Sequence, residues 1–462
     1  MIILENLINN PPNIRVTFQK ERSLWDKMSK PKEYSVMTKD KLMIYTLIAL
    51  AILAFVTAAI WWSITQKGWS LGLTLLATCA IAVVVAIALD YLLALFMKNK
   101  GPVNTMSAAV FGMIVALSYS LGIPVMVVHE VLPLVAPEAL TYVAIISAVG
   151  MIVFKKLQGL LGRKYVNPAA AAKILVLIPF LYEILLPEDH LSMINLAAPI
   201  GYGEPTYFAE TINACYAPEG STADVLWTLL MAKYHGWPGG ASSIAVIIVG
   251  VCLFIVARRY IKWRITLSYL ITTAVMSIIM TAIYGGDALL RLAFHLFVGS
   301  SIFLAFFMAT DPATTPLTQK GQCIFGLGLG VLTVLIQSYM NFFGGSILAL
   351  VIMNLTSPVL DGIGIQKPTE EKVEKKLPKG KPFETVKTVQ CMRCGACMVA
   401  CCHNLSPILI KEAFEKGKTK TLKALRADFC DGCGNCSFVC PARIDLKGFT
   451  LRAKASLRIA KN

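Results

Sequence analysis

The stretches Cys391-Met-Arg-Cys-Gly-Ala-Cys-Met-Val-Ala-Cys401 and Cys430-Asp-Gly-Cys-Gly-Asn-Cys-Ser-Phe-Val-Cys440, the second followed by Pro441, decide how the end of this chain is read. Both have the spacing C-x2-C-x2-C-x3-C, in which three close thiolates hold one [4Fe-4S] cluster and the fourth reaches across to the neighbouring one. The crossing predicts one cluster on Cys391, Cys394, Cys397 and Cys440, and another on Cys430, Cys433, Cys436 and Cys401. Such centres pass single electrons, and no catalytic side chain is singled out. A zinc site needs only two C-x2-C pairs and would leave the third and fourth cysteines of each run unexplained. A disulfide framework is disfavoured, because nothing resembling a cleaved signal peptide precedes the chain and thiols in a reducing cytosol stay reduced. Cys402 stands where proline follows in the second run, a departure that removes no ligand.

Outward from these runs the composition changes. The chain has 462 residues, 56% of them hydrophobic, with a mean hydropathy of +0.65. Those values predict a large lipid-embedded part. From Lys367 onward the balance is 20 Lys+Arg against 9 Asp+Glu, so this tail supplies +11 of the total +16. A local basic excess suits anionic lipid headgroups or an acidic electron carrier such as a free ferredoxin, with attraction that weakens in salt. Nucleic acid is excluded as a partner, because no recognition module accompanies the charge.

About 20 apolar residues cross the ~30 Å of hydrocarbon in a bilayer. Ten stretches qualify, near 42–62, 70–96, 104–121, 138–155, 169–186, 242–260, 265–284, 289–310, 322–340 and 345–361. A shorter piece from Ile123 to Val135, broken by Pro124 and Pro133, reads as a half-helix or re-entrant segment. Lys and Arg gather on the cytoplasmic side. Lys98 and Lys100, then Lys155, Lys156, Arg163 and Lys164, then Arg258, Arg259, Lys262 and Arg264, then Lys320 mark one set of alternate loops as cytoplasmic. The same parity puts the N-terminus and the cysteine-rich tail inside. The segment 187–241, acidic apart from Lys233, then faces outward. Five spans per half would invert the second half relative to the first, with a functional site near the midplane.

The expected fold class is therefore an all-α polytopic membrane domain of about ten transmembrane helices in two inverted five-helix halves, plus a small α+β two-[4Fe-4S] domain. The expected divisions are a cytoplasmic arm (1–41), the membrane domain (42–361), a linker (362–389) and the cluster domain (390–462). In the arm, Phe18, Leu24, Trp25 and Met28 among basic residues suit an amphipathic stretch on the inner leaflet or against a partner subunit. Pro368, Pro378 and Pro382 prevent a continuous helix in the linker.

Three membrane stretches resemble a known family. Gly159-Leu-Leu-Gly-Arg-Lys-Tyr-Val-Asn-Pro-Ala169, Phe294-His-Leu-Phe-Val-Gly-Ser300 and above all Phe306-Phe-Met-Ala-Thr-Asp-Pro-Ala-Thr-Thr-Pro316, running to Lys320-Gly321, are similar to the D subunit of the Rnf complex. The B subunit of the sodium-pumping NADH:quinone reductase belongs to the same family. The resemblance covers about Met43 to Asp361. The tail from Gln390, with Leu405-Ser-Pro-Ile408 after the first run, resembles instead the ferredoxin portion of the Rnf C subunit, so the chain reads as a fusion. The family implies a subunit of a redox-driven ion-translocating complex in the bacterial or archaeal cytoplasmic membrane, with other membrane and peripheral subunits as partners. It also implies FMN joined through phosphate to a threonine. The best match is Thr222 in Glu219-Gly-Ser-Thr222, where Gly220 and Thr222 fit the attachment sequence while Tyr216, Glu219 and Ser221 depart from it. An electron passing from an inner tail to an outer flavin needs further carriers, in partner subunits or as a noncovalent flavin in this chain.

Among ionisable residues in or near spans, Asp90 and Lys173 are expected to pair or snorkel, Glu183 to sit near the outer end, and His295 to bond between helices. The five histidines offer no facing intramembrane pair for haem. Cys79, Cys252 and Cys323 are read as packing residues, and Asn167-Pro168 and Asp311-Pro312 as helix starts or part of the inner mouth. No G-x-G-x-x-G fingerprint follows a strand, so NADH oxidation would fall to another subunit. Two rival functions remain open: an inverted-repeat transporter or channel whose tail senses redox state, and an assembly subunit with structural clusters.

Overall fold

The computed structural model describes residues 33–63, 65–66, 69–96, 105–119, 139–158, 163–185, 226–227, 230–231, 238–285, 288–297, 300–339, 345–382 and 388–459. Contacts divide the chain into two compact units: Asp40–Gly364, and Met1–Lys39 together with Ile365–Asn462.

The first unit is helical. Its long elements are α1 (Lys39–Ile60), α2 (Leu71–Phe96), α3 (Thr105–Ser118), α4 (Ala139–Leu157), α5 (Pro168–Leu185), α6 (Ser243–Ala257), α7 (Trp263–Tyr284), α8 (Ala288–Phe297), α9 (Ser301–Met308), α10 (Gln319–Tyr339) and α11 (Gly345–Leu360). Among the described residues, α1, α2, α4, α7 and α10 are long and apolar enough to cross a membrane, while α3, α6 and α11 are shorter apolar helices. The stretch expected as one span over 289–310 is broken: Arg291–Phe297 and Ser301–Met308 differ in direction by 64°. The second piece ends in a π-helix, with the Ala309 amide bonded to the Leu304 carbonyl at 2.8 Å. The expected re-entrant piece at 123–135 and most of 187–241 lie outside the described residues.

Helices that are apolar all round belong in a core or a bilayer. Here Phe55, Val84, Ile255 and Val359 are all more than 60% exposed, a greasy exterior that suits lipid. Lipid offers no hydrophobic drive between helices, so small residues must permit close backbone approach. Gly326 and Gly330, one turn apart on α10, do this against α7: a Cβ at Gly326 would lie 2.6 Å from the Ile265 carbonyl oxygen. A Cβ at Gly112 of α3 would meet the Ala82 carbonyl of α2 at 2.7 Å.

The second unit is built from both ends of the chain. Strand β1 (Glu33–Ser35) pairs antiparallel with β2 (Gly380–Pro382), in the register Glu33 with Pro382 and Ser35 with Gly380. Five short helices follow: α12 (Ala396–Ala400), α13 (Pro407–Glu415), α14 (Thr419–Ala424), α15 (Asn435–Phe438) and α16 (Leu446–Ile459). A small core of Leu405, Ile410, Ala413, Leu422, Ala427, Ala453 and Leu457 holds α13, α14 and α16 together.

Candidate metal centre

The two cysteine runs share one backbone geometry, repeated 39 positions apart. Arg393 and Gly432 both have positive φ, as do Gly395 and Gly434, and Asn404 and Arg443. A non-glycine residue at positive φ is uncommon, so its recurrence at matched places marks a conformation that the site demands. In the first run, the Arg393 amide donates to Cys391 Sγ and the Leu405 amide to Cys401 Sγ, each at 3.3 Å. Their counterparts, the amides of Gly432 and Ile444, face Cys430 and Cys440. Helix α12 carries Cys397, and α15 carries Cys436.

Chain crossing then sorts the thiols into two sets. Cys391, Cys394, Cys397 and Cys440 line one cavity, with Ile408, Ile444 and Leu446 as its apolar wall. Cys401, Cys430, Cys433 and Cys436 line the other, with Leu405 and Pro407 beside them. The sequence expected these two groups of four. Each cavity encloses about 340 Å³, counting the part open to solvent. Among the described residues no group of three or more His, Cys, Asp or Glu side chains converges closely enough to hold a single metal ion. Zinc would draw its sulfur ligands to ~2.3 Å, whereas thiols spread around a cavity suit a larger polynuclear body.

Electrostatics agree with that fit. Burial pushes the Cys440 thiol up to about 11, although the Ile444 amide and the Arg443 guanidinium pull it down. Burial likewise raises Cys433 to about 12 against the Asn435 amide. Cys397 and Cys436 are also raised, by burial and then by the neighbouring thiols. Thiols raised in this way favour their protonated form, and binding of a cation to them would release protons. Around the first cavity, the guanidinium of Arg393, paired with Glu412, and that of Arg443 are both buried. Around the second, Asp431 joins Lys372 at 3.2 Å and His403 at 3.5 Å.

Sequence reasoning missed the frame that encloses this site. Arg443 Nη2 donates to the Ser35 carbonyl at 2.7 Å, and the Lys39 amide to the Pro441 carbonyl at 3.1 Å. The linker contributes as well: Thr369 N and Val373 N donate to the carbonyls of His403 and Cys402, and Val389 N to that of Ala442. The residue after each fourth cysteine is thus held by a distant segment. No local pattern in the sequence reports such pairings.

In the membrane unit, Asp90 pairs with Lys156 at 2.5 Å. Lys173 does not snorkel: it is buried and donates to the Ser118 carbonyl. His295 Nδ1 meets Gln337 Oε1 at 2.8 Å, the expected interhelical bond. Asn167 caps α5 through Oδ1, which accepts from the Ala169 and Ala170 amides. Asp311 instead organises a turn, accepting from Ala313 N and Thr314 Oγ1, because Pro316 follows too soon for a helix to continue. That turn is gripped from outside. Lys262 Nζ donates to the Pro312 and Thr315 carbonyls, both at 2.8 Å, and Asp361 accepts from Leu317 N and Arg163 Nη1, both at 2.7 Å. The side chain of Glu183, and Thr222 altogether, lie outside the described residues.

Comparison with known proteins matches residues 28–370 to the NQR2, RnfD, RnfE family. The match ends before the first cysteine run. Over 302 residues the chain is 29% identical to the D subunit of the Na(+)-translocating ferredoxin:NAD(+) oxidoreductase complex of Acetobacterium woodii, covering 65% of this chain and 84% of that protein. It is 32% identical over 239 residues to the D subunit of the ion-translocating oxidoreductase complex of Pseudomonas paraeruginosa, covering 50% and 68%. It is 27% identical over 226 residues to the D subunit of the proton-translocating ferredoxin:NAD(+) oxidoreductase complex of Clostridium ljungdahlii, covering 47% and 65%. With its apolar helices and the hydrogen-bonded turn after Asp311, the chain belongs to the NQR2, RnfD, RnfE family of integral membrane proteins.

Proposed function

We propose that this chain is a membrane subunit of a redox-driven ion-translocating complex that carries its own two-cluster electron relay. One observation carries the reading: eight thiols form two crossed sets of four around separate cavities, in a polypeptide whose remainder belongs to the family. When bound, a [4Fe-4S] cluster supplies one-electron transfer at a potential set by charge, hydrogen bonds and exposure. The chain's own residues hold the thiols at fixed spacing, point backbone amides at the sulfurs, and line the cavities with apolar side chains that limit water.

Relatives are named as D subunits of oxidoreductase complexes, and the other subunits of such a complex are the proposed partners. The basic tail suits an acidic donor such as reduced ferredoxin. On this reading ten spans form two inverted halves, with the N-terminus and the cluster domain cytoplasmic and 187–241 outward. FMN is carried on Thr222, and further carriers, such as a noncovalent flavin, bridge the bilayer. The test is anaerobic purification of the native complex. About eight irons and eight acid-labile sulfides per chain are expected for two cubanes, together with a flavin-modified peptide at Thr222. Material free of iron and sulfide would remove the relay, and an unmodified peptide would remove the flavin assignment alone.

A further inference from the structure

A ninth thiol touches the second set. Cys402 is buried, its Sγ lies 3.9 Å from that of Cys433, and Asn435 Nδ2 donates to it at 3.0 Å. A metal-bound thiolate at Cys433 has no proton and can only accept. A thiol is a weak donor and a weak acceptor. Because Asn435 occupies the acceptor side of Cys402, its S–H is left for Cys433. The backbone keeps it in place, since the Val373 amide donates to the Cys402 carbonyl at 3.3 Å. In the repeat 39 positions on, the corresponding residue is Pro441, and Asn435 itself corresponds to Ala396 in the first run. The arrangement is therefore confined to one of the two sites.

Resting on the cluster reading above, we propose that Cys402 is a positioning residue whose S–H donates to the Cys433 sulfur and raises the reduction potential of the cluster held by Cys401, Cys430, Cys433 and Cys436. Reduction adds negative charge to the cluster and its sulfurs. A donor aimed at one of them stabilises the reduced form more than the oxidised one, so the potential rises. The sequence asymmetry after the fourth cysteine of each run thus separates two otherwise similar carriers.

The test is an EPR-monitored redox titration of the anaerobically purified complex carrying wild type, Cys402→Ala, Cys402→Pro or Cys402→Ser, with iron and sulfide measured on each. Cys402→Pro guards against collapse, because the matched position in the second run already accepts proline. Cys402→Ala and Cys402→Pro are expected to lower one midpoint potential, that of the signal which Cys436→Ala abolishes, and to leave the other in place. Cys402→Ser, which keeps a hydroxyl donor, should restore most of the shift. Unmoved potentials in both variants at full iron content overturn the inference, as does loss of one cluster from both, which would make Cys402 a ligand. Wild type without iron would instead bring down the cluster reading itself.

Discussion

The Arg443 guanidinium lies 4.6 Å over the ring of Tyr34, a residue more than 400 positions away in sequence. Tyr34 is only 2% exposed, and Arg443 sits three residues after Cys440. The N-terminal segment therefore packs on the residues that follow Cys440, and the cysteine unit is discontinuous in sequence.

Tyr34→Ala should weaken this unit by about 2 to 4 kcal/mol, the cost of emptying a buried aromatic site and losing a cation–π contact. Denaturant titration of the purified complex, followed through the visible absorbance of the clusters, reads the effect. Tyr34→Phe, which keeps the ring, should stay near wild type. An alanine variant with an unchanged midpoint would mean that the strand merely lies against the unit.

Crossed ligation predicts unequal double variants. Cys397→Ala and Cys440→Ala line the same cavity, so combining them should cost no more iron than either alone, about half the total. Combining Cys397→Ala with Cys401→Ala should abolish nearly all of it. Iron and sulfide analysis decides, and the reverse pattern would show that each run serves its own cluster.

Asp361 is buried between Arg163 and the Leu317 amide. Removing its carboxylate strands a buried guanidinium, a loss worth about 3 to 5 kcal/mol for broken buried pairs. Asp361→Ala should lower the thermal midpoint of the complex in lipid nanodiscs by several degrees, and Asp361→Asn, which retains an acceptor, by less. Equal midpoints for both would show that the bridge is dispensable.

Gly326→Val places a side chain against the Ile265 carbonyl, where even a Cβ would come within 2.6 Å. Overpacking of this kind costs about 1 to 3 kcal/mol or forces the helices apart. Lower yield of folded complex and earlier thermal aggregation are expected, while Gly362→Ala, whose nearest neighbour is the Val359 carbonyl at 3.3 Å, should be tolerated better. Indistinguishable behaviour of the two would rule out tight α7–α10 packing.

Much of the candidate site could be read from residues alone, because three cysteines of each group of four fall within seven positions. The fourth of each group comes from the other run, tens of positions away, and its place is expected from the pattern of crossed ligation. Apolar length likewise reports the long helices directly. Other features depended on partners that no window of sequence contains. Lys173 falls within the stretch 169–186, where a lysine is expected to pair or snorkel, yet the turn of α5 aims it at the Ser118 carbonyl. The break between α8 and α9 was hidden because hydropathy measures how apolar a stretch is and carries no information on its direction.

The sequence by itself determined the spacing of the cysteines within each run and which stretches are apolar enough to span a bilayer, since both are properties of neighbours along the chain. Tertiary structure alone decided that Tyr34 lies under Arg443, that Cys402 reaches Cys433, and that Lys262 and Asp361 grip the turn after Asp311. These contacts join residues tens to hundreds of positions apart, and each forms only when burial brings a donor and an acceptor together and leaves them no water to bond instead.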